Sequence, residues 1–173
     1  MRAGLAQCAR VALACLVTSA VAGAAELKPI QLPKPQMEGG KPLMQALKER
    51  QTSRAFSDQK LSEQVLANLL WAADGVNRPD GKRTAPSAVN WQEVDIYVAD
   101  YARMGRAQEA DKDRYSAADT GFIAQNVYLF CASEGLAAVV RGMVGDKAAL
   151  AEALKLRPEQ KIILAHTVGY PKN

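Results

Sequence analysis

The segment at residues 116–134 constrains the fold more than any other part of the chain. It reads SAADTGFIAQNVYLFCASE and is followed by Gly135. As a helix it is apolar on more than one side, with Phe122, Ile123, Val127, Tyr128, Leu129 and Phe130 spread around it. A surface helix needs one apolar stripe, whereas a helix apolar on several sides must be covered on several sides. The segment is expected at the centre of a core, or between a core and a subunit interface. Gly135 is its natural stop. With 173 residues, 49% of them hydrophobic, the chain can bury a core of its own in one domain.

The other elements are read outward from this helix. Residues 42–51, PLMQALKERQ, form a short helix with Pro42 in its first turn. Ser62 caps a second helix, with Leu61 and Leu66 placed for a hydrophobic staple and Gly75 as its end. Val65, Leu66, Leu69, Leu70 and Ala73 make its apolar stripe. Residues 93–99, EVDIYVA, alternate Val94, Ile96 and Val98 with polar neighbours, the pattern of one half-buried strand. Residues 100–114 are polar and suggest no defined element. LAAVVRG at 136–142 is a short strand, Asp146 caps a helix through Lys155, and 161–170, KIILAHTVGY, is one buried strand. The order gives an α+β (or α/β) fold with a small sheet.

The first 25 residues stand apart. Arg2 and Arg10 flank the start of a 12-residue apolar run at 11–22, and small residues precede Glu26. This is the pattern of a secretory signal peptide cleaved after Ala24 or Ala25, and it is too short to span a bilayer. The expected product is exported, periplasmic or secreted, with no stable membrane insertion after cleavage. Residues 26–41 form an extended lead-in rich in proline and glycine, and 42–173 form the domain. Cys8 and Cys15 leave with the signal, so Cys131 remains without an internal partner, as a buried structural thiol. The net charge of +4 is not gathered in any block, so no nucleic-acid partner is expected.

Most familiar chemistry is missing. A single His166 and a single mature cysteine cannot build a Cys/His zinc site. There is no G-x-S-x-G elbow, no G-x-G-x-x-G and no P-loop. An enzyme with this sequence would borrow a cofactor. Four places offer polar groups that could hold one. Arg50, Gln51, Thr52 and Arg54, in RQTSR, offer forked and hydroxyl donors to a phosphate. Pro86 sets a turn in which Ser87, Asn90 and Gln92 offer donors and acceptors to a flat heteroaromatic edge. Arg141, Gly142 and Met143 end a strand where backbone N–H groups can approach a ligand. Lys172 offers one more cation. Each has a plain alternative, as a solvated helix end, a capped turn, a strand-to-helix connection and a solvated terminal lysine.

Their order is more telling than any one of them. RQTSRAF, then LSEQVLANLLWAADGVN, then RTAPSAVNWQEVDIYV, then AQNVYLFCASEGLAAVVRG, then VGYP resembles the nitroreductase-like FMN flavoproteins, especially small exported bacterial members. The resemblance implies an intertwined homodimer with FMN at the interface. It implies that RQTSR meets the FMN phosphate and ribityl chain, and that Ser87 and Asn90 contact the flavin, often from the partner subunit. It implies backbone N–H groups near Gly142 and Met143 at the ring edge. The implied reaction carries a hydride from NAD(P)H through flavin to a nitro-compound, quinone or similar small-molecule acceptor. Relatives carry a further segment between two strands that both resemble YVA, and here it is lacking after Ala99. The family's basic C-terminal contacts are represented by Lys172 alone. The rival reading is a non-catalytic or vestigial flavin- or ligand-binding protein on the same fold.

Overall fold

The computed structural model describes residues 29–96 and 98–172. The expected signal peptide, its cleavage site and Tyr97 lie outside the described residues.

Helix α1 spans Leu43–Glu49 and α2 spans Glu63–Asp74. Ser62 caps α2 as its sequence suggests, its side chain accepting from the Val65 N–H. Gly75 ends α2, although its backbone is extended, at φ −74°. Its smallness matters for space instead: a Cβ there would fall 2.4 Å from the Trp71 ring. That room lets the indole Nε1 donate to the Val76 carbonyl at 3.1 Å.

The central helix α3 spans Glu109–Glu134, 26 residues, and starts earlier than its apolar pattern suggests. Residues 109–115 are polar on most sides, so periodicity does not reveal them, but Glu109 and Asp111 place negative charge in the first turn. Gly135 ends the helix in the left-handed conformation, φ 70°. Ile123, Ala124, Val127 and Cys131 are buried against Leu69 and Ala73 of α2, against Val94 and against Ala138. Phe122, on the same helix, is 47% exposed. One face of α3 is thus the core, and another large apolar side chain stays at the surface.

The expected single strand at 94–99 is instead a hairpin: β1 (Val94–Asp95) pairs antiparallel with β2 (Val98–Asp100). Ile96 begins the turn at φ 35°, an unusual value for a β-branched residue. With no Asn-Gly or Asp-Gly there, alternation alone gives no sign of a reversal. A 3₁₀ turn, Tyr101–Met104, then leads toward α3. Ala99, Tyr101 and Met104 form a second buried cluster with Trp91, Tyr115 and Ile163 around it.

Strand β3 spans Ala137–Arg141, and α4 spans Lys147–Ala153, capped by Asp146 and ending short of Lys155. The expected last strand divides into β4 (Gln160–Ile162) and β5 (Ala165–Gly169). β4 joins the hairpin in a three-stranded sheet, and β5 joins β3 in a two-stranded one. All pairings are antiparallel. The α+β class holds, but the sheet is in two antiparallel pieces linked through Ile163 and Leu164 rather than one mixed sheet. The described part of the lead-in has no helix or strand, yet it is pinned. Gln64 Nε2 donates to Lys34 O at 2.9 Å, and the Gln36 N–H donates to Asn68 Oδ1 at 2.8 Å. The Lys41 N–H donates to Ser133 Oγ at 2.7 Å.

The joint after Ala99 is well held. Asp100, its side chain 3% exposed, takes the Arg157 guanidinium, and the Ala102 N–H donates to it at 3.2 Å. Arg103 spans the hairpin with bonds of 2.8 and 2.6 Å to Asp95. Replacing Asp100 by alanine removes the cap and strands Arg157. The expected cost is about 2–3 kcal/mol, a fall of roughly 10 °C in Tm. Thermal unfolding followed by circular dichroism checks this; an unchanged Tm would show that the joint is held by packing alone.

Candidate functional site

The outer edge of β3 gathers the first group of candidate residues. The Ser53 N–H donates to Ala138 O at 2.9 Å, laying residues 50–54 beside the strand. Further along, the Val140 N–H donates to the Tyr128 hydroxyl at 2.9 Å. Thr52 Oγ1 lies 3.2 Å from that same hydroxyl. The half-buried Arg50 places its guanidinium carbon 5.4 Å from the Tyr128 ring centroid, within cation–π range. The His166 ring packs against Tyr128 at 4.7 Å, from β5 directly opposite Val140. An open cleft of about 480 Å³ adjoins the group, with Lys48, Arg50, Gln51, Ser53 and Pro171 in its wall.

Lys172 joins this group by backbone pairing. Phe56 and Pro171 form an antiparallel bridge, and the Lys172 N–H donates to Ala55 O at 3.2 Å. That places the Lys172 backbone across from Ala55, next to Arg54 in the chain; both basic residues are exposed, and neither is in an ion pair among the described residues. Arg141 spends its Nε on Thr167 Oγ1 at 3.0 Å. Gly142 and Met143 follow in open space, Met143 96% exposed. They lie two and three residues beyond Val140, roughly 7–10 Å along an extended chain. The phosphate-type donors and the end of β3 therefore meet around Tyr128.

The second group lies elsewhere. Ser87 Oγ accepts the Gln92 N–H at 2.8 Å and donates to Glu93 Oε2 at 3.2 Å. Gln92 accepts from Arg83 Nε at 3.0 Å and donates to Asn90 Oδ1 at 3.1 Å. Pro86 and Asn90 are exposed. The backbone is strained here, with positive φ at Val89, Asn90 and Gln92. Asp119 of α3 anchors the turn by accepting the Ala88 N–H at 3.0 Å. Asp119 and Tyr128 are roughly 13.5 Å and two and a half turns apart on α3. One protomer thus presents Ser87, Asn90 and Gln92 on one side of the helix and Arg50, Thr52, Arg54 and Lys172 on the opposite side.

Sequence reasoning did not single out the acids under this turn. Glu93 is fully buried, and Asp119 and Asp74 nearly so. Burial pushes Asp74 up to about 6, partly offset by Arg83 Nη1 at 3.1 Å. Burial also raises Glu93, and the neighbouring Asp119 carboxylate adds to the rise. The only signal in the sequence is Glu93 at the buried entry of a strand. Tyr128 was read only as part of an apolar helix; its signal is that a buried tyrosine hydroxyl seeks a partner. Burial lowers His166 to about 4 and raises the Cys131 thiol to about 12, as befits an inert structural cysteine. Among the described residues no cluster of metal-ligating side chains occurs, and no helix is long and apolar enough to cross a membrane.

Together the fold and the edge of β3 define a small α+β protein with a cationic, hydroxyl-bearing cleft. Its family follows from comparison with known proteins: the Nitroreductase family pattern matches residues 47–108 and 96–170, and the chain belongs to the nitroreductase family. It is 32% identical to a Ralstonia eutropha protein described as a nitroreductase, with a TM-score of 0.77 over 83% of this chain and 90% of that one. Nitroreductase A from Vibrio parahaemolyticus shares the fold at 20% identity and TM-score 0.62, over 76% of this chain and 68% of that one. A Clostridium acetobutylicum protein described as an NADH oxidase shares it at 21% identity and TM-score 0.57, over 74% of this chain and 88% of that one. Among curated proteins nothing matches. The family places the chain among flavin-dependent oxidoreductases in general. The two matched pieces share residues 96–108, so two separate parts of the family pattern converge on the β1–β2 joint. The overlap is consistent with a middle shortened relative to the family pattern.

The buried groups fix a pH dependence. Asp74, raised from 3.8 to about 6, binds its proton more tightly in the folded chain. Its contribution is full below pH 3.8 and lost as pH rises through 6. His166, lowered from 6.5 to about 4, acts oppositely: its contribution is full above 6.5 and lost as pH falls through 4. Each is on the order of 2–3 kcal/mol, so the two oppose one another in mildly acid solution, with the raised Glu93 acting in the same sense as Asp74. The His166→Gln chain is expected to gain stability from pH 7 to 4.5, and the Asp74→Asn chain to lose it. Urea unfolding across that range checks both signs; parallel profiles for the two variants would contradict them.

Proposed function

We propose that the mature chain is an exported, homodimeric, FMN-dependent oxidoreductase that takes reducing equivalents from NAD(P)H. Its acceptor is a nitro-compound, a quinone or a similar small molecule. The observation that carries this reading is the convergence of Arg50, Thr52, Arg54 and Lys172 at one edge of a nitroreductase-family fold. These residues fit a phosphate in their chemistry, with two arginine forks, a hydroxyl and an ammonium, and Arg50 stands in the wall of an open cleft. FMN, when bound, supplies the hydride chemistry between NAD(P)H and the acceptor.

The chain's own residues bind and orient. Arg50, Thr52, Arg54 and Lys172 would hold the phosphate, and Gln51 would meet the ribityl chain. The open backbone at Arg141, Gly142 and Met143 offers N–H groups to the ring edge. Ser87, Asn90 and Gln92, raised on the Pro86 turn, serve the flavin of the other protomer, because they face away from this protomer's phosphate group. The exposed Phe122, and Leu43 and Met44 at 63% and 76% exposure, supply apolar surface for that second copy. Export rests on the pattern of residues 1–25.

A specific observation favours the alternative, a flavin- or ligand-binding protein without turnover: the convergence of both family pieces on residues 96–108. Two measurements separate them. The chain beginning near Glu26, mixed with excess FMN and desalted, is expected to keep a bound-flavin absorption spectrum. Arg50→Ala with Arg54→Ala should abolish retention while the far-ultraviolet dichroism stays unchanged; undiminished retention would remove the phosphate assignment. Steady NAD(P)H consumption with a quinone supports the enzyme, and retained flavin with no consumption supports the alternative.

A further inference from the structure

Tyr128 joins the two parts of the proposed phosphate end. Its ring lies under the Arg50 guanidinium, and its hydroxyl touches both Thr52 Oγ1 and the Val140 N–H. A phenol has one O–H to give, and a backbone N–H can only donate. The Tyr128 oxygen therefore accepts from Val140, and its own proton is free to go to Thr52 Oγ1. A threonine hydroxyl that accepts in this way keeps its own proton for an outside acceptor. Thr52 is exposed, so such an acceptor can reach it. Arg50 is held through the face of the ring, which leaves its N–H fork unspent on protein among the described residues.

We propose that Tyr128 is a positioning residue for the flavin phosphate. Its ring carries Arg50, and its hydroxyl, pinned by Val140, turns the Thr52 O–H outward, so that both donors meet one phosphate. This rests on the reading of residues 50–54 given above. It adds that affinity for the phosphate, and not for the ring, depends on a side chain that itself touches no ligand. Because Val140 stands just before Arg141, Gly142 and Met143, the same hydroxyl also sets the spacing between the phosphate end and the end of β3.

The test compares FMN with riboflavin, which has the same ring and ribityl chain but no phosphate, by fluorescence titration of the full chain. Tyr128→Phe keeps the ring and removes the hydroxyl. It should raise the Kd for FMN about tenfold and leave that for riboflavin unchanged. Thr52→Val, at an exposed position where folding is not at stake, should cause the same loss, and the double variant should lose little more than either alone. Arg50→Ala is the reference. If it abolishes the preference for FMN while Tyr128→Phe and Thr52→Val keep it, the positioning role is overturned and the phosphate site stands. If Tyr128→Phe weakens both flavins equally, the role is structural and the proposal falls. If Arg50→Ala also keeps the preference, the phosphate assignment falls and takes this proposal with it.

Discussion

Burial along α3 is the constraint on which the rest of the molecule depends. Ile123, Ala124, Val127 and Cys131 fill the interior between α2, the first strand and β3. Each aliphatic side chain so buried contributes roughly 1.5–3 kcal/mol. The stripe changes character toward the N-terminus, where the buried positions are Ser116, Asp119 and Thr120. A polar stripe inside a protein must be matched group by group. Asp119 is matched by the Ala88 N–H and Ser116 Oγ by Asp113 O at 3.3 Å, whereas Thr120 Oγ1 has no hydrogen-bond partner among the described residues. One helix therefore does two jobs. Its C-terminal half packs apolar elements together, and its N-terminal half anchors the strained turn at 87–93.

What the sequence discloses follows from how local each cause is. Caps are local, so Ser62 and Asp146 were legible, as was the stop at Gly135. The resemblance to relatives carried the order of the polar motifs. The hairpin was not legible, because its turn at Ile96 uses neither glycine nor asparagine and is imposed by the pairing of β2 with β4. The division of the last strand was hidden for a similar reason. Residues 161–170 are uniformly apolar enough to read as one strand, and only their partners show that β4 and β5 belong to different sheets. At the candidate site, Arg50 and Thr52 were legible as donors. Their meeting with Tyr128, and the placing of the Lys172 backbone across from Ala55, depend on long-range pairing that no spacing reveals.

Backbone strain has collected in the turn before the hairpin and at its tip. Among the described residues, four of the five non-glycine residues at positive φ lie between Val89 and Ile96. Such conformations cost on the order of 1–3 kcal/mol each and persist only where the surroundings enforce them. Here the enforcement is visible. Arg83 ties Asp74 to Gln92, Ser87 ties Gln92 to Glu93, and Arg103 ties the Gln92 carbonyl to Asp95. Charged and amide side chains thus hold the turn and the start of the hairpin together.

This arrangement also sets what the two groups of site residues can do. The turn at 87–93 is braced from beneath by buried acids, so its outward amides keep their position without a ligand. Residues 50–54 are braced from the side by Tyr128 and the edge of β3, so their donors are equally prepared. Preparation of this kind lowers the ordering cost of binding. The two prepared surfaces nevertheless lie on opposite sides of α3, and no rearrangement short of unpacking that helix would bring them together. A ligand that needs both must therefore draw one from each of two chains. On the proposed reading, flavin binding and association of two copies would form a single coupled equilibrium.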